Sequence, residues 1–287
     1  MSTIATRERE ARIIRIAADA FRNDPATVFQ RKKKIGRALA WIAPTVLLIL
    51  WQISSDQGWI DKRTFASPAE VALAAWDMTA SGMLWDNLKV TIQRIGVGYV
   101  SGSLVGIVLG TALGWSVLAR SAFRPMIRAA QTAPLLGIFP LLLMIFGLGE
   151  LPKYLMVAFG MSVLVSLGTI DAVAGVPTSY IEAARSLGTP RRQMFLEVVM
   201  PAALERIITS LRIGVGLGVL STIGVEFVAA NEGVGRIIWT SWNLFLPADM
   251  FVGIIIACLL GVVCNALIDL LQRIVMPWRR EGDRVVN

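Results

Sequence analysis

The chain has no histidine and only two cysteines in 287 residues. The first absence removes the commonest metal ligand and the commonest acid–base group near neutral pH. The two thiols, Cys258 and Cys264, lie in one apolar run. On a helix that separation is about 9 Å and turns them to different faces, too far to bridge. Both read as small core residues, and no metal site is expected. Charge is sparse as well, with Asp, Glu, Lys and Arg making up 17% of the residues. No GxxxxGK stretch is present to cradle a nucleotide phosphate, and no cysteine sits beside a base. These absences leave no catalytic set, which excludes an intramembrane enzyme and ATP hydrolysis by this chain.

Apolar residues are what the chain has: 55% of the sequence, with a mean hydropathy of +0.64. A soluble domain of this size has no core able to hold that load. Apolar stretches of about 20 residues recur, the length that crosses the hydrocarbon layer. We read six, at roughly 36–54, 92–117, 127–148, 153–174, 207–230 and 250–276. The first contains Pro44, and the third contains Pro134 and Pro140. In the second, Gly102, Gly106, Gly110 and Gly114 recur every four residues as one small-residue face, which lets membrane helices pack backbone to backbone. Between the first two lies a polar stretch with a short helix expected from Ala69 to Met78. The fold class is therefore an all-α membrane protein with six transmembrane helices.

The chain divides into a basic tail over 1–35, a transmembrane domain over 36–278 and a short tail over 279–287. In the first tail, Arg7 to Phe21 places Ile13, Ala17 and Phe21 at helical spacing, as an amphipathic surface helix would. No signal-peptide cleavage site follows.

Net charge is +8, and its placement decides what it means. One side of the six-span topology collects Arg31, Lys32, Lys33, Lys34, Arg37, Arg120, Arg124, Arg128, Arg185, Arg191, Arg192, Arg206, Arg273, Arg279, Arg280 and Arg284. The other holds mostly acids, among them Asp56, Asp61, Glu70, Asp77, Asp86, Glu150, Glu232 and Asp249. The positive-inside rule puts both termini in the cytoplasm. The charge is a topology signal and not a nucleic-acid footprint.

Three ionisable groups fall in or near the spans, where such groups are costly and face a cavity or a partner. Glu226 reads either as a pathway residue or as a hydrogen-bond acceptor for a neighbouring helix. Arg94, beside Gln93, could greet an anion or pair with Asp86. Asp171 reaches the interface.

One polar island interrupts the apolar pattern, from Tyr180 to Arg192. Ser179 with Glu182 predicts a capping box and a helix start. Gly188 predicts the stop of that helix, since glycine enters the left-handed region without a Cβ penalty. Thr189 and Pro190 predict a second cap and a second helix. Ala183 and Ala184 leave one side bare for close approach. The expectation is a helical hairpin.

This island resembles the EAA loop of binding-protein-dependent ABC importer permeases: Glu182-Ala183-Ala184, then Gly188, then Pro201. Met200 stands where that family usually has leucine. Phe65-Ala66-Ser67-Pro68, the run from Pro140 to Glu150 and the run from Glu226 to Gly235 resemble the nitrate/sulfonate/taurine branch. The resemblance implies a type I ABC importer permease fold. It implies that the loop at 177–201, with Glu182, Ala183, Ala184, Arg185, Leu187, Gly188, Arg191 and Pro201, docks on a separate ABC ATPase that binds ATP and magnesium, so this chain holds no cofactor. It further implies a second permease copy, an extracytoplasmic substrate-binding protein, and a bacterial inner-membrane location. The cargo would be a small solute: nitrate, a sulfonate or a taurine-like anion, with a thiamin-pyrimidine precursor as the alternative. A stand-alone secondary transporter would need ion-coupling residues and an internal repeat, which the sequence does not display.

Overall fold

The computed structural model describes residues 25–61 and 64–277. The expected helix from Arg7 to Phe21 and the tail at 279–287 lie outside the described residues. Every element among the described residues is helical.

Helix α1, Pro25–Asp56, runs through the expected tail boundary at residue 35 without a break. With residues 67–69 it belongs to a unit of its own. Within that unit the Ala69 N–H donates to Gln52 Oε1 at 3.2 Å. Its apolar stretch, Ile42–Asp56, overlaps the first expected span but is shorter than a bilayer-crossing stretch.

The second unit carries the helices from Glu70 onward. Helix α2 is Pro68–Ala80, close to the expected short helix. Helix α3, Met83–Trp115, follows Gly82, which takes the left-handed conformation at φ 82°. Helices α4 (Val117–Gln131), α5 (Leu135–Phe146), α6 (Leu151–Ala174), α7 (Thr178–Ser186) and α8 (Arg191–Gln193) come next. A π-helical turn, Met194–Val199, joins α8 to α9, Met200–Ala229. Helices α10 (Val234–Asn243) and α11 (Pro247–Val275) complete the unit. By length and composition four helical runs can cross a membrane: α3, α6, Arg191–Ala229 and α11.

The third expected span takes a different form. Helices α4 and α5 meet at 93° across residues 132–134. Pro134 lies at the bend: it has no N–H to continue the ladder and disfavours helical geometry at Ala133. Helix α5 alone is about 18 Å long, short of the hydrocarbon thickness. Helix α4 sets Arg120, Arg124 and Arg128 one turn apart, with Leu118, Phe123 and Met126 exposed elsewhere on it. That pattern suits a helix lying at a membrane interface better than one crossing it. The sequence reading merged the end of this helix with α5.

Helices α3 and α6 pack along their lengths. Gly98, Gly102, Gly106, Gly110 and Gly114 all face α6, so the small-residue stripe is longer by one residue than expected. A Cβ on Gly106 would stand 2.8 Å from Val165 Cβ and 2.9 Å from the Ser162 carbonyl oxygen. Backbone cannot yield there as a flexible side chain could. Gly106→Leu should therefore cost about 1–3 kcal/mol by overpacking. The measurement is yield and melting temperature of the detergent-solubilised protein. Wild-type values for both would contradict this packing.

The core lies where α6, α9 and α11 meet. Val157, Met161 and Val165 pack on Ile208, Leu211, Val215 and Ile268. The Tyr99 hydroxyl donates to the Leu211 carbonyl at 2.6 Å and ties α3 to α9. Both cysteines are free, as their spacing requires; Cys264 is half-buried, but Cys258 is exposed rather than in the core.

Candidate functional site

The polar island folds as a hairpin. Helix α7 ends in a Schellman arrangement: the Thr189 N–H donates to the Ala184 carbonyl at 3.1 Å and the Gly188 N–H to the Arg185 carbonyl at 2.9 Å. Gly188 has φ 75°, the conformation that glycine enters at no steric cost. The stop signal read from the sequence is thus the one used.

The expected caps are not. Helix α7 begins at Thr178 after Pro177, with no side-chain cap bond, so Ser179 and Glu182 form no capping box. Proline at 177 holds φ near the helical value and supplies the entry without a hydroxyl. Helix α8 begins after Pro190, again with no side-chain cap, so Thr189 is not its N-cap. Ala184 is buried, while Ala183 is exposed. The bare side is therefore one alanine wide, and the other alanine packs inward. Glu182, Arg185, Leu187 and Arg191 are exposed. Leu187, at the turn, is 85% exposed and Tyr180 is 55% exposed, apolar surface on an otherwise charged loop. Such surface commonly marks a partner contact.

The second arm continues into the bilayer-length helix. Arg191–Ala229 is one 39-residue run, about 58 Å from end to end. Pro201, four residues past Glu197, has no N–H to close the α ladder, and the π turn immediately precedes it. Val199, Ala203 and Ile207 bury against Ala172, Val173 and Val176. The arm is thereby fastened to α6. Asp171, near the same end of α6, pairs with Arg124 of α4.

At the far end of that run lies a buried polar cluster. Glu226 is fully buried. Its Oε1 accepts from Thr91 Oγ1 at 2.8 Å and from Arg94 Nη1 at 2.9 Å. Its Oε2 accepts from the Gly235 N–H at 2.7 Å. Arg94 also donates through Nε and Nη2 to both oxygens of Glu150, each at 2.8 Å, and through Nη1 to the Glu232 carbonyl at 2.6 Å. Lys153 Nζ reaches Glu150 Oε1 at 2.6 Å. Asn87 Oδ1 and Thr91 Oγ1 accept from the N–H groups of Gly233 and Val234. The cluster contains two cations and two carboxylates and joins α3, α6, α9 and the loop before α10.

Of the two readings for Glu226, this geometry is that of the acceptor from neighbouring elements. Arg94 pairs, but with Glu150 and Glu226 rather than with Asp86; the fold brings α6 and α9 to it, which local spacing could not reveal. The Arg94 guanidinium, helped by Lys153, holds the Glu150 carboxyl well below the usual range, at about 2, against the opposing effect of burial. Gly233 has φ 128°, and a Cβ there would stand 2.5 Å from Glu226 Oε1. Thr91, Glu150, Lys153, Gly233 and Gly235 were not singled out from sequence as members of this cluster. The glycines lie inside the run from Glu226 to Gly235, and only the third dimension shows why they stand there.

The family pattern agrees with comparison to known proteins. The family of binding-protein-dependent transport system inner membrane components matches residues 102–281, more than half the chain. The chain is 30% identical to a putative aliphatic sulfonates transport permease protein of Escherichia coli (strain K12), over 86% of this chain and 94% of that one. It is 31% identical to the taurine transport system permease protein of the same organism, over 69% and 72%. The crystal structure of an amino acid ABC transporter with histidines overlays with a TM-score of 0.56 at 20% identity, covering 68% of this chain and 95% of that chain, which shows a shared fold. The chain belongs to the binding-protein-dependent transport system inner membrane components: it is a permease subunit of an ABC importer of the nitrate/sulfonate/taurine type.

Proposed function

We propose that two copies of this chain line a pathway for a small solute carrying an acidic group, with an ATPase seated under each 178–199 hairpin. The observation that carries this reading is the unbroken run from Arg191 to Ala229. One end is the exposed hairpin arm and the other holds Glu226. A displacement of the hairpin is carried by a stiff helix to the buried polar cluster. ATP and magnesium bind the partner, which supplies the energy that this chain has no phosphate-binding loop to harvest. A binding protein delivers cargo on the side of Glu150 and Glu232. Nitrate, a sulfonate and a taurine-like anion are the leading cargoes by resemblance, with a thiamin-pyrimidine precursor as the other.

Both termini face the cytoplasm in this reading, supported by the arginine-rich hairpin side. Ser81 and Ser186 are both exposed, and this topology puts them on opposite sides of the membrane. Single cysteines at these positions, with Cys258 and Cys264 replaced by serine, should label oppositely in intact cells. An impermeant thiol reagent should modify position 81 and spare position 186; the reverse pattern would overturn the topology. The wider reading is tested by purifying a tagged chain in mild detergent. An ATPase subunit should accompany it, and its absence would contradict the proposed partnership.

A further inference from the structure

Helix α10 with its flanking residues, the start of α3 and the start of α11 line an open cavity of about 410 Å³. That volume falls in the range of small-molecule sites. Arg236 and Asp249 both line it, together with Asn231, Thr240 and Ser241. Among the described residues none of these five side chains makes a hydrogen bond or an ion pair, and Arg236 and Asp249 do not pair with each other. The contrast with the neighbouring Arg94, whose donors are nearly all engaged, is sharp.

Arg236 is half-buried in the first turn of α10. A cation there opposes the helix dipole, so helix stability does not account for it. Partial burial without a partner adds a desolvation cost. Asp249 sits in the first turn of α11, where the dipole favours an acid, and Asp77 adds a second negative charge near it. One cavity thus offers an unpaired guanidinium and a separate acidic locus, with the hydroxyl residues Thr240 and Ser241 also in its lining.

We propose that this cavity is a receiving site for a small zwitterion, an acidic group bound by Arg236 and a primary amine bound by Asp249. The inference rests on the permease reading above and narrows its cargo from anions in general to amino-sulfonates or amino-carboxylates. Arg236 donates two N–H groups to the sulfonate or carboxylate oxygens. Thr240 and Ser241 donate to a remaining oxygen. The ammonium is held by Asp249, which would repel a simple anion and so discriminates against one.

The test uses the intact permease–ATPase complex in nanodiscs, without binding protein, and reads melting temperature against solute concentration. Taurine or β-alanine should raise it saturably; the preferred one of the two identifies the acidic group. Ethanesulfonate, propionate and ethylamine at the same concentrations should not. Arg236→Gln should weaken the half-saturating concentration of the zwitterion at least about tenfold, and Arg236→Lys should retain part of it. Asp249→Asn should weaken the zwitterion and admit ethanesulfonate. No shift with either zwitterion, an equal shift with ethanesulfonate, or variants that titrate like wild type would overturn the proposal. In a second assay with empty binding protein added, an Arg236→Gln variant altered only in its affinity for that protein would also overturn the proposal, by making the cavity a docking contact. Co-purification of the ATPase separates the two levels: if it persists while the zwitterion has no effect, this site fails and the permease reading stands.

Discussion

Arg94→Met should cost the folded protein about 3–5 kcal/mol, enough to collapse its yield. The reason is electrostatic. The substitution leaves Glu226, fully buried, without the only cation that touches it among the described residues. Removing one partner of a buried pair leaves an uncompensated charge, and that costs far more than the pair contributes. It also frees the Glu232 carbonyl and one side of Glu150. The double variant Arg94→Met/Glu226→Met should recover part of the loss, because two apolar groups of similar size remove the stranded charge. A double-mutant cycle on detergent melting curves measures the coupling. A single Arg94→Met variant as stable as wild type would mean that the cluster does not hold these helices together.

Gly188→Val should uncouple the transporter while sparing its insertion. A Cβ at Gly188 meets nothing within 4 Å, so sterics against the rest of the chain are not at issue. The cost comes from the backbone alone, since valine resists φ near 75°, by about 1–3 kcal/mol. To relieve it the Schellman bonds of Gly188 and Thr189 must open, and the two arms of the hairpin lose their fixed angle. The spans themselves are untouched. In reconstituted vesicles transport should fall severalfold or more, and ATP hydrolysis should stop responding to loaded binding protein. Glu182→Lys should act more mildly than Gly188→Val. Glu182 makes no cap bond, so only the charge offered to the partner is reversed. Wild-type transport by both variants would reduce the hairpin to a connector.

The parts of this molecule that were legible in the sequence are those set by local chemistry. Apolar runs of bilayer length, the glycine repeat from Gly102 to Gly114 and the stop at Gly188 each follow from residues within one or two turns. The caps misled because proline at 177 and 190 sets the helix entry by backbone geometry, and a hydroxyl next to such a proline is not needed. The third span misled for a related reason. Pro134 turns the chain through 93° inside what hydropathy averages into one stretch. The buried cluster was beyond local reading altogether. Thr91 and Glu226 are 135 residues apart and Arg94 and Glu150 are 56 apart, so their contact depends on which faces of α3, α6 and α9 turn inward. From sequence, Gly233 reads only as part of the run from Glu226 to Gly235. Its conformation and the carboxylate beside it give it a specific reason to lack a side chain.

The central claim is that the hairpin is the surface on which an ATPase acts. The most direct measurement places a single cysteine at Ser186, exposed on α7, in a chain whose Cys258 and Cys264 are serine. A short thiol-reactive photocrosslinker is attached and the purified complex is illuminated with and without ATP. The account predicts a cross-link to the co-purified ATPase subunit whose yield changes when ATP binds. An ATPase that co-purifies but is never captured from Ser186, nor from the neighbouring Leu187, would contradict it.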